Sequence, residues 1–221
     1  MRNDLDLQTD QLRTFVVTMG EQADAMLDGA LRGFSDGDLA AAQAAIDDDD
    51  QVDHGYRQVQ HGVLAAIALH GPVGHDLRML ISLIHVSIHL ERMADYAVNV
   101  GRAAVQMADF PSDPDLTEQI AEMGALAREV GRTAIQAFIR EDPDLAAGVP
   151  DLDAAVDRFD RGIFQRLVRL GAQDDGRLDW ASRMIRVARH LERYGDHGVD
   201  IAEQTIFVVT GEAVDLNGTQ E

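Results

Sequence analysis

One pattern occurs twice in this chain, and a chain built that way must fold as two copies of one unit. His89-Leu90-Glu91-Arg92 followed by Asp95 returns 101 residues later as His190-Leu191-Glu192-Arg193 followed by Asp196. Met19-Gly20 recurs as Met123-Gly124, Phe34 as Phe138, and Asp49 and Asp53 as Asp153 and Asp157, all 104 positions on. At the offset of 101, Asp76 meets Arg177 and Ile84 meets Ile185. A nearly constant offset marks an internal duplication. The halves meet around Asp109-Phe110-Pro111-Ser112-Asp113-Pro114, whose prolines lack the amide donor that a helix interior needs. The boundary is placed there, with one unit over residues 1–110 and a second over 111–221.

Apolar residues recur at spacings of three and four through nearly the whole chain, the period of an amphipathic helix. The pattern breaks at Gly33 to Gly37, at Gly71-Pro72, in the proline run, at Asp142-Pro143 and at Gly171 to Gly176. Six helices are therefore predicted: Thr9 to Gly33, Leu39 to His70, Val73 to Met107, Asp115 to Arg140, Leu145 to Leu170 and Leu178 to Thr210. The second would be about 48 Å long at about 1.5 Å per residue, and long helices joined by short turns pack as antiparallel neighbours. The expected fold is all-α: two tandem, homologous three-helix bundles made from six long antiparallel helices.

Composition narrows the function classes. With 221 residues, 46% of them apolar and 26% charged, the chain can bury a sizeable core. No apolar run approaches the roughly 20 residues of a bilayer span, so no membrane span is expected. Met1 to Asp10 is acidic where a signal peptide is basic and then apolar, which makes the cytoplasm the expected compartment. The absence of cysteine removes disulfides, thiolate ligands and thiol nucleophiles together, and any bound metal would have oxygen-rich ligands. A net charge of −20 argues against nucleic acid as a partner, because affinity for a phosphate backbone comes from clustered basic residues.

The repeated acids point to one side of their helices. At about 100° per residue, Glu91 and Asp95 share an arc with Leu77, Leu80, Ile84 and Ile88. Glu192, Asp196 and Glu203 interrupt a stripe of Leu178, Ala181 and Ile185 before them and Val199, Ile206 and Phe207 after. Asp49 and Asp53 share a face with Ile46, Leu64 and Ile67, and Asp157 is followed on its face by Phe164 and Val168. Each half thus directs carboxylates from two helices at one apolar seam. A buried, unpaired carboxylate costs several kcal/mol or takes up a proton, so such a group needs a cationic neutraliser. Arg57 and Arg102 in the first half, and Arg161 and Arg189 in the second, are one candidate set, forming ion pairs. A divalent or trivalent metal is the other, since acids four apart on a helix offer a hard cation two oxygens a turn apart. Among 29 Asp and 10 Glu a lone pair of this kind is ordinary; its recurrence in both halves brings the metal level with the ion pairs.

His190-Leu191-Glu192-Arg193-Tyr194-Gly195-Asp196-His197, followed by Asp200, Glu203 and Val209-Thr210-Gly211-Glu212, resembles the last helix of the PhoU family of phosphate-uptake regulators. Gly71-Pro72-Val73 with Asp76-Leu77-Arg78 is similar to that family's turn into its third helix, and Leu90-Glu91-Arg92 with Asp95, Val98 and Asn99 to its first carboxylate motif. The resemblance covers nearly the whole chain, in the same order in both halves. It implies two three-helix bundles and a cytoplasmic negative regulator of phosphate-starvation signalling with no catalytic activity of its own. The implied partners are the ATPase subunit of the phosphate ABC transporter and a membrane sensor histidine kinase, with a homodimer the usual assembly. Paired Glu/Asp-x-x-x-Asp motifs hold iron or zinc in some family members, while others hold magnesium or no metal. The implied cofactor is a divalent or trivalent ion, iron or zinc foremost, with magnesium or manganese next. Carried over by position, the ligand candidates are Asp49, Asp53, Glu91 and Asp95 in the first half, with Asp153, Asp157, Glu192, Asp196 and Asp200 in the second. The first motif departs from the family, having Met93-Ala94 and Tyr96 where Ile-Gly and His are usual, and Arg102 in the place matching Glu203. Asn99 there offers a carbonyl oxygen where Asp200 offers a carboxylate.

Two further readings stand beside this one. A helical adaptor with salt-bridged seams and no metal shares the regulatory role. His75-Asp76 is the dipeptide of helical metal-dependent phosphohydrolases, which would need a further histidine such as His54, His61 or His70 to hold metal and activate water. The second half has no matching dipeptide, and neither repeat carries the Glu-x-x-His spacing of di-iron bundles. His85, His89 and His190 fall toward the outer side of their helices and read as surface or interface residues.

Overall fold

The structure is a computed structural model that describes residues 2–110, 113–172 and 175–218. Pro111 and Ser112 of the expected boundary, and Gln173 and Asp174 of the expected last break, lie outside the described residues. The chain forms α1 Arg2–Ser35, α2 Leu39–Asp47, α3 Asp49–His70, α4 Gly74–Gln106, α5 Pro114–Arg140, α6 Pro143–Ala147, α7 Val149–Gly171 and α8 Asp175–Thr210, with no strand among the described residues.

The helix ends follow from local chemistry. Asp113 accepts a hydrogen bond from the Leu116 amide at 3.2 Å, and Asp142 accepts one from Leu145 at 3.0 Å, each with a proline in the first turn of the helix it starts. These caps satisfy amides that have no intrahelical partner. Gly71 ends α3 in the left-handed region at φ 57°, a conformation that a side chain would strain, and Pro72 prevents continuation.

Six long antiparallel segments are present as expected, but two of them are broken. The expected Leu39 to His70 helix divides at Asp48, whose carboxylate accepts a hydrogen bond from the Gln51 side chain at 2.6 Å, the local bonding with which short polar residues compete against a continuous helix. The expected Leu145 to Leu170 helix contains Pro150, which has no amide for the Ala146 carbonyl, and it divides at Gly148 into α6 and α7. The first helix also begins at Arg2 rather than Thr9, and the last at Asp175 rather than Leu178. Both breaks place an acid pair near the start of the helix that follows: Asp49 and Asp53 in α3, Asp153 and Asp157 in α7.

In the first half α1 packs on α3 and α4; in the second α5 packs on α7 and α8. The halves join where α4 lies along α8 and α1 along α5, so a single buried core runs from Val16, Leu27 and Leu83 through Leu90 and Met93 to Ile120, Ala134 and Leu191. Polar ties cross the same seam. Arg128 on α5 grips Asp24 of α1 with two hydrogen bonds of 2.9 Å and also pairs with Asp28. Glu141, after α5, meets Arg13 of α1 at 2.8 Å and His75 of α4 at 2.6 Å.

Candidate metal centres

The second half gathers its acids most deeply. Asp153 stands on the buried side of α7 with Val156, Ile163 and Leu167, and it meets Glu192 of α8 across the helix pair. Asp153 is 8% exposed and Glu192 9%. With Asp157, Asp196, His197 and Asp200 they line a cavity of about 480 Å³. Gly195 makes the approach possible: a β-carbon there would collide with Asp153 Oδ1, so the absence of a side chain lets the α7 carboxylate reach the α8 backbone.

Burial, reinforced by the charges of Asp196, Asp157 and Glu192, pushes the Asp153 carboxyl up to about 7. Burial and Asp196 push Glu192 up to about 7 against the pull of Arg189 and Arg193. Asp196 is raised by burial despite Arg193. The arginines neutralise this group only in part. Arg189 donates to Glu192 Oε1 at 2.6 Å, while Arg193 stands 3.6 Å from Oε2, Arg193 3.4 Å from Asp196 and Arg161 3.4 Å from Asp157. Asp153 Oδ1 and Glu192 Oε2 are buried with no hydrogen-bond partner. Each such oxygen costs about 1–3 kcal/mol of lost solvation.

The first half brings its foursome together more shallowly. Asp49 is raised by burial and then by Asp95 and Asp53, with Arg102 opposing; Glu91 is raised by burial and Asp95, with Arg92 opposing. The Asp53 and Asp95 side chains are 41% and 43% exposed. Arg57 stands 3.5 Å from Asp53, and Arg92 is 3.7 Å from Glu91 and 3.6 Å from Asp95. Ala94 occupies the place of Gly195, so the first half carries a methyl group where the second leaves the helix backbone open to a carboxylate.

The first group sits at the rim of its bundle and not in the seam that the periodicity suggested, whereas in the second Asp153 and Glu192 turn inward and Asp157 stays at the rim. The core face of α3 is Val52, Val59, Val63 and Ala66, and Asp53 follows Val52 by one residue, about 100° round the helix. Leu64, Phe164, Val168 and Leu178, expected on the inward faces, are exposed. Glu203 is engaged elsewhere, accepting the Leu216 amide at 2.8 Å to fix the tail.

A different group lies between the halves. His89 Nδ1 of α4 is 3.1 Å from His197 Nδ1 of α8 and 3.3 Å from Asp200 Oδ2, which is itself 3.0 Å from His197 Nδ1. Tyr96 stacks on His197 with ring centroids 5.7 Å apart, and Asn217 donates to Asp200 Oδ1 at 3.1 Å. Burial pushes His89 down to about 4. Burial would raise Asp200, but the hydrogen bond with His197 and the neighbouring His89 hold it below the ordinary carboxylate range. His89 and His190 therefore face neighbours, not solvent: the outer side of α4 in its own bundle is the side that α8 covers. His197 and Asp160 are not among the ligand candidates expected from the sequence; Asp160 lies 3.8 Å from Arg189 and is raised by burial. His75 pairs with Glu141 while His54 contacts Gln58 at 3.4 Å and His61 is exposed, so these do not assemble a hydrolase centre around Asp76.

The PhoU domain family model matches residues 16–104 and, a second time, residues 120–205. The chain belongs to the PhoU family. The phosphate-specific transport system accessory protein PhoU homolog of Xylella fastidiosa strain Temecula1 is 29% identical over 207 residues, 94% of this chain and 85% of that protein. The homolog of Pseudomonas aeruginosa PAO1 is 30% identical over 204 residues, 92% of this chain and 84% of that protein. The crystal structure of PhoU from Pseudomonas aeruginosa superposes with a TM-score of 0.89 at 29% identity, covering 94% of this chain and 99% of that one. The Streptococcus pneumoniae phosphate transport system regulatory protein PhoU, at 23% identity and a TM-score of 0.86, shares the fold over 96% of this chain and 99% of its own. The PhoU fold thus accounts for both bundles and for the α4 and α8 acids at matching places in the two copies.

Proposed function

We propose that this PhoU-family chain is a non-catalytic accessory protein of phosphate uptake that represses phosphate-starvation signalling. In this reading it joins the ATPase subunit of a phosphate ABC transporter to a sensor histidine kinase at the cytoplasmic face of the membrane, as a homodimer. The observation that carries it is the double family match, together with relatives named as phosphate-specific transport accessory proteins along nearly the full length of this chain. No helix among the described residues is long and apolar enough to cross a membrane, so association with a transporter would run through protein contacts. The charge of −20 suits basic partner segments.

The second acid group also fits a metal ion. Neither of its two buried oxygens, Asp153 Oδ1 and Glu192 Oε2, has a hydrogen-bond donor, and Arg193 comes no nearer than 3.6 Å to the second, so their burial calls for further positive charge. Asp153, Asp157, Glu192 and Asp196 would hold a hard or borderline cation, iron or zinc first and magnesium or manganese next, through oxygen alone. The ion would supply the charge that lets these acids ionise together, tying α7 to α8. Asp49, Asp53, Glu91 and Asp95, more hydrated and lacking orphaned oxygens among those described, form the weaker holder. The metal-free adaptor is supported by the arginines that already stand within 4 Å of these acids.

Deleting the gene tests the regulatory role: starvation genes should switch on in phosphate-rich medium, and silence there would remove the proposal. Elemental analysis of untagged protein tests the metal. At least one equivalent per chain is expected, with one equivalent fewer in the double variant Asp153→Asn with Glu192→Gln. No metal after reconstitution with iron, zinc, manganese or magnesium would leave the adaptor.

A further inference from the structure

The seam between the halves converges three potential ligand atoms of a chemistry unlike that of the acid groups. We propose that His89, His197 and Asp200 form a zinc-class cation site that bridges α4 and α8 and so clips the two halves together. The proposal does not rest on metal bound by Asp153, Asp157, Glu192 and Asp196: two of its three donors are imidazoles, and Asp200, which lines the same cavity as those acids, is here engaged by His89 and His197.

Geometry is the first argument. Around tetrahedral zinc with bonds of about 2.0 Å, neighbouring ligand atoms stand about 3.3 Å apart. The three separations here are 3.1, 3.3 and 3.0 Å, close to one face of such a tetrahedron. The fourth position is left for water from the adjoining cavity, which His197 and Asp200 also line.

Protons cannot satisfy this triangle. With Asp200 ionised, each imidazole must carry a proton on Nδ1 to donate to Oδ2. The contact between the two Nδ1 atoms needs a proton on only one of them. Whichever way two protons or one are placed, at least one edge sets two N–H groups, or two lone pairs, against each other. A cation accepts all three lone pairs at once. Asn217 holds the other Asp200 oxygen at 3.1 Å and Tyr96 stacks on His197, which fixes two of the three donors in place. The His side chains are each 20% exposed, open enough for an ion to enter. Two nitrogen donors and one carboxylate favour zinc, cobalt, nickel or copper over magnesium or calcium.

The test uses the full chain, stripped with chelator, in wild type and in the double variant Asp153→Asn with Glu192→Gln. Cobalt(II) should produce a visible absorption band in both, displaced by one equivalent of zinc. Zinc affinity should fall at least about 100-fold in His89→Gln or His197→Gln and between about 10- and 100-fold in Asn217→Ala. Imidazole nitrogen NMR of the wild type should place zinc on Nδ1 of both histidines. Zinc affinity in folded His89→Gln within about twofold of wild type would overturn the proposal. Should that variant misfold, unshifted Nδ1 resonances in the zinc-loaded wild type would overturn it equally. Metal lost only in the acid double variant would count against the bridge while leaving the acid centre standing; metal lost only in the histidine variants would do the reverse.

Discussion

Asp153 joins two features that each carry a thermodynamic consequence: an oxygen without a partner and a pKa near 7, set by burial and then by Asp196, Asp157 and Glu192. A carboxyl raised from its ordinary 3.8 to about 7 binds a proton in the folded chain over a pH range in which the unfolded chain has released it. Folding stability therefore falls as pH rises through that window and stays lower above it. Glu192, raised from 4.5 to about 7, acts in the same direction. In metal-stripped protein, Asp153→Asn should match the wild type in urea midpoint near pH 4 and exceed it at pH 8, because the amide never has to ionise in the buried site. A variant less stable than wild type at pH 8 would show that the charged group is already well compensated. A bound cation should reverse the wild type's slope, since its ligands must shed protons to bind it.

Helix spacing decides which half holds the deeper acid group. Gly195 lets Asp153 of α7 press against α8, and Ala94 stands at the matching place of α4 in the first half, where Asp49 is less buried. Gly195→Ala should force the two helices apart or turn Asp153 outward, with an overpacking penalty of about 1–3 kcal/mol in chemical denaturation. The helix propensity of Ala over Gly, about 1 kcal/mol, works the other way, so a net stabilisation would mean that the contact relaxes without strain. The reverse change, Ala94→Gly, should cost only about that propensity. Elements of this kind were legible in sequence where their cause is local. The spacing of three and four gave six long helices, and the repeated acid pairs gave the right helix partners. Pro150 was a visible signal that the periodicity concealed, and it splits the fifth helix; the Asp48 break had no comparable mark. The depth of Asp153 was not legible, because it depends on a glycine of another helix 42 positions away. Nor was the meeting of His89 with His197, 108 residues apart, since a wheel drawn for one helix cannot say which neighbour covers its outer face.

At the scale of the molecule the two homologous units share one core, from which unfolding in a single transition is expected. Buried side chains run without interruption from α1 and α4 into α5 and α8, so separating the halves would expose apolar surface on both. Trp180, the sole tryptophan, is buried and lines a cavity together with Phe34 and Ala104 of the first half, which makes its fluorescence a reporter of the seam. Urea unfolding followed by Trp180 and by helical circular dichroism should give coincident midpoints, as an all-or-none transition requires. A Trp180 transition that precedes the loss of helix would mean that the halves part first. Arg128 offers a local handle on the same seam, because its two hydrogen bonds to Asp24 join α5 to α1. Arg128→Ala leaves a mostly buried Asp24 with Arg132, 3.8 Å away, as its one ion-pair partner among the described residues. A fully buried partner loss costs about 3–5 kcal/mol, and this remaining pairing with partial hydration lowers the expected loss to about 2–3 kcal/mol. If the units are thermodynamically one, that loss should move both signals by the same amount; a shift confined to one would assign them separate stabilities.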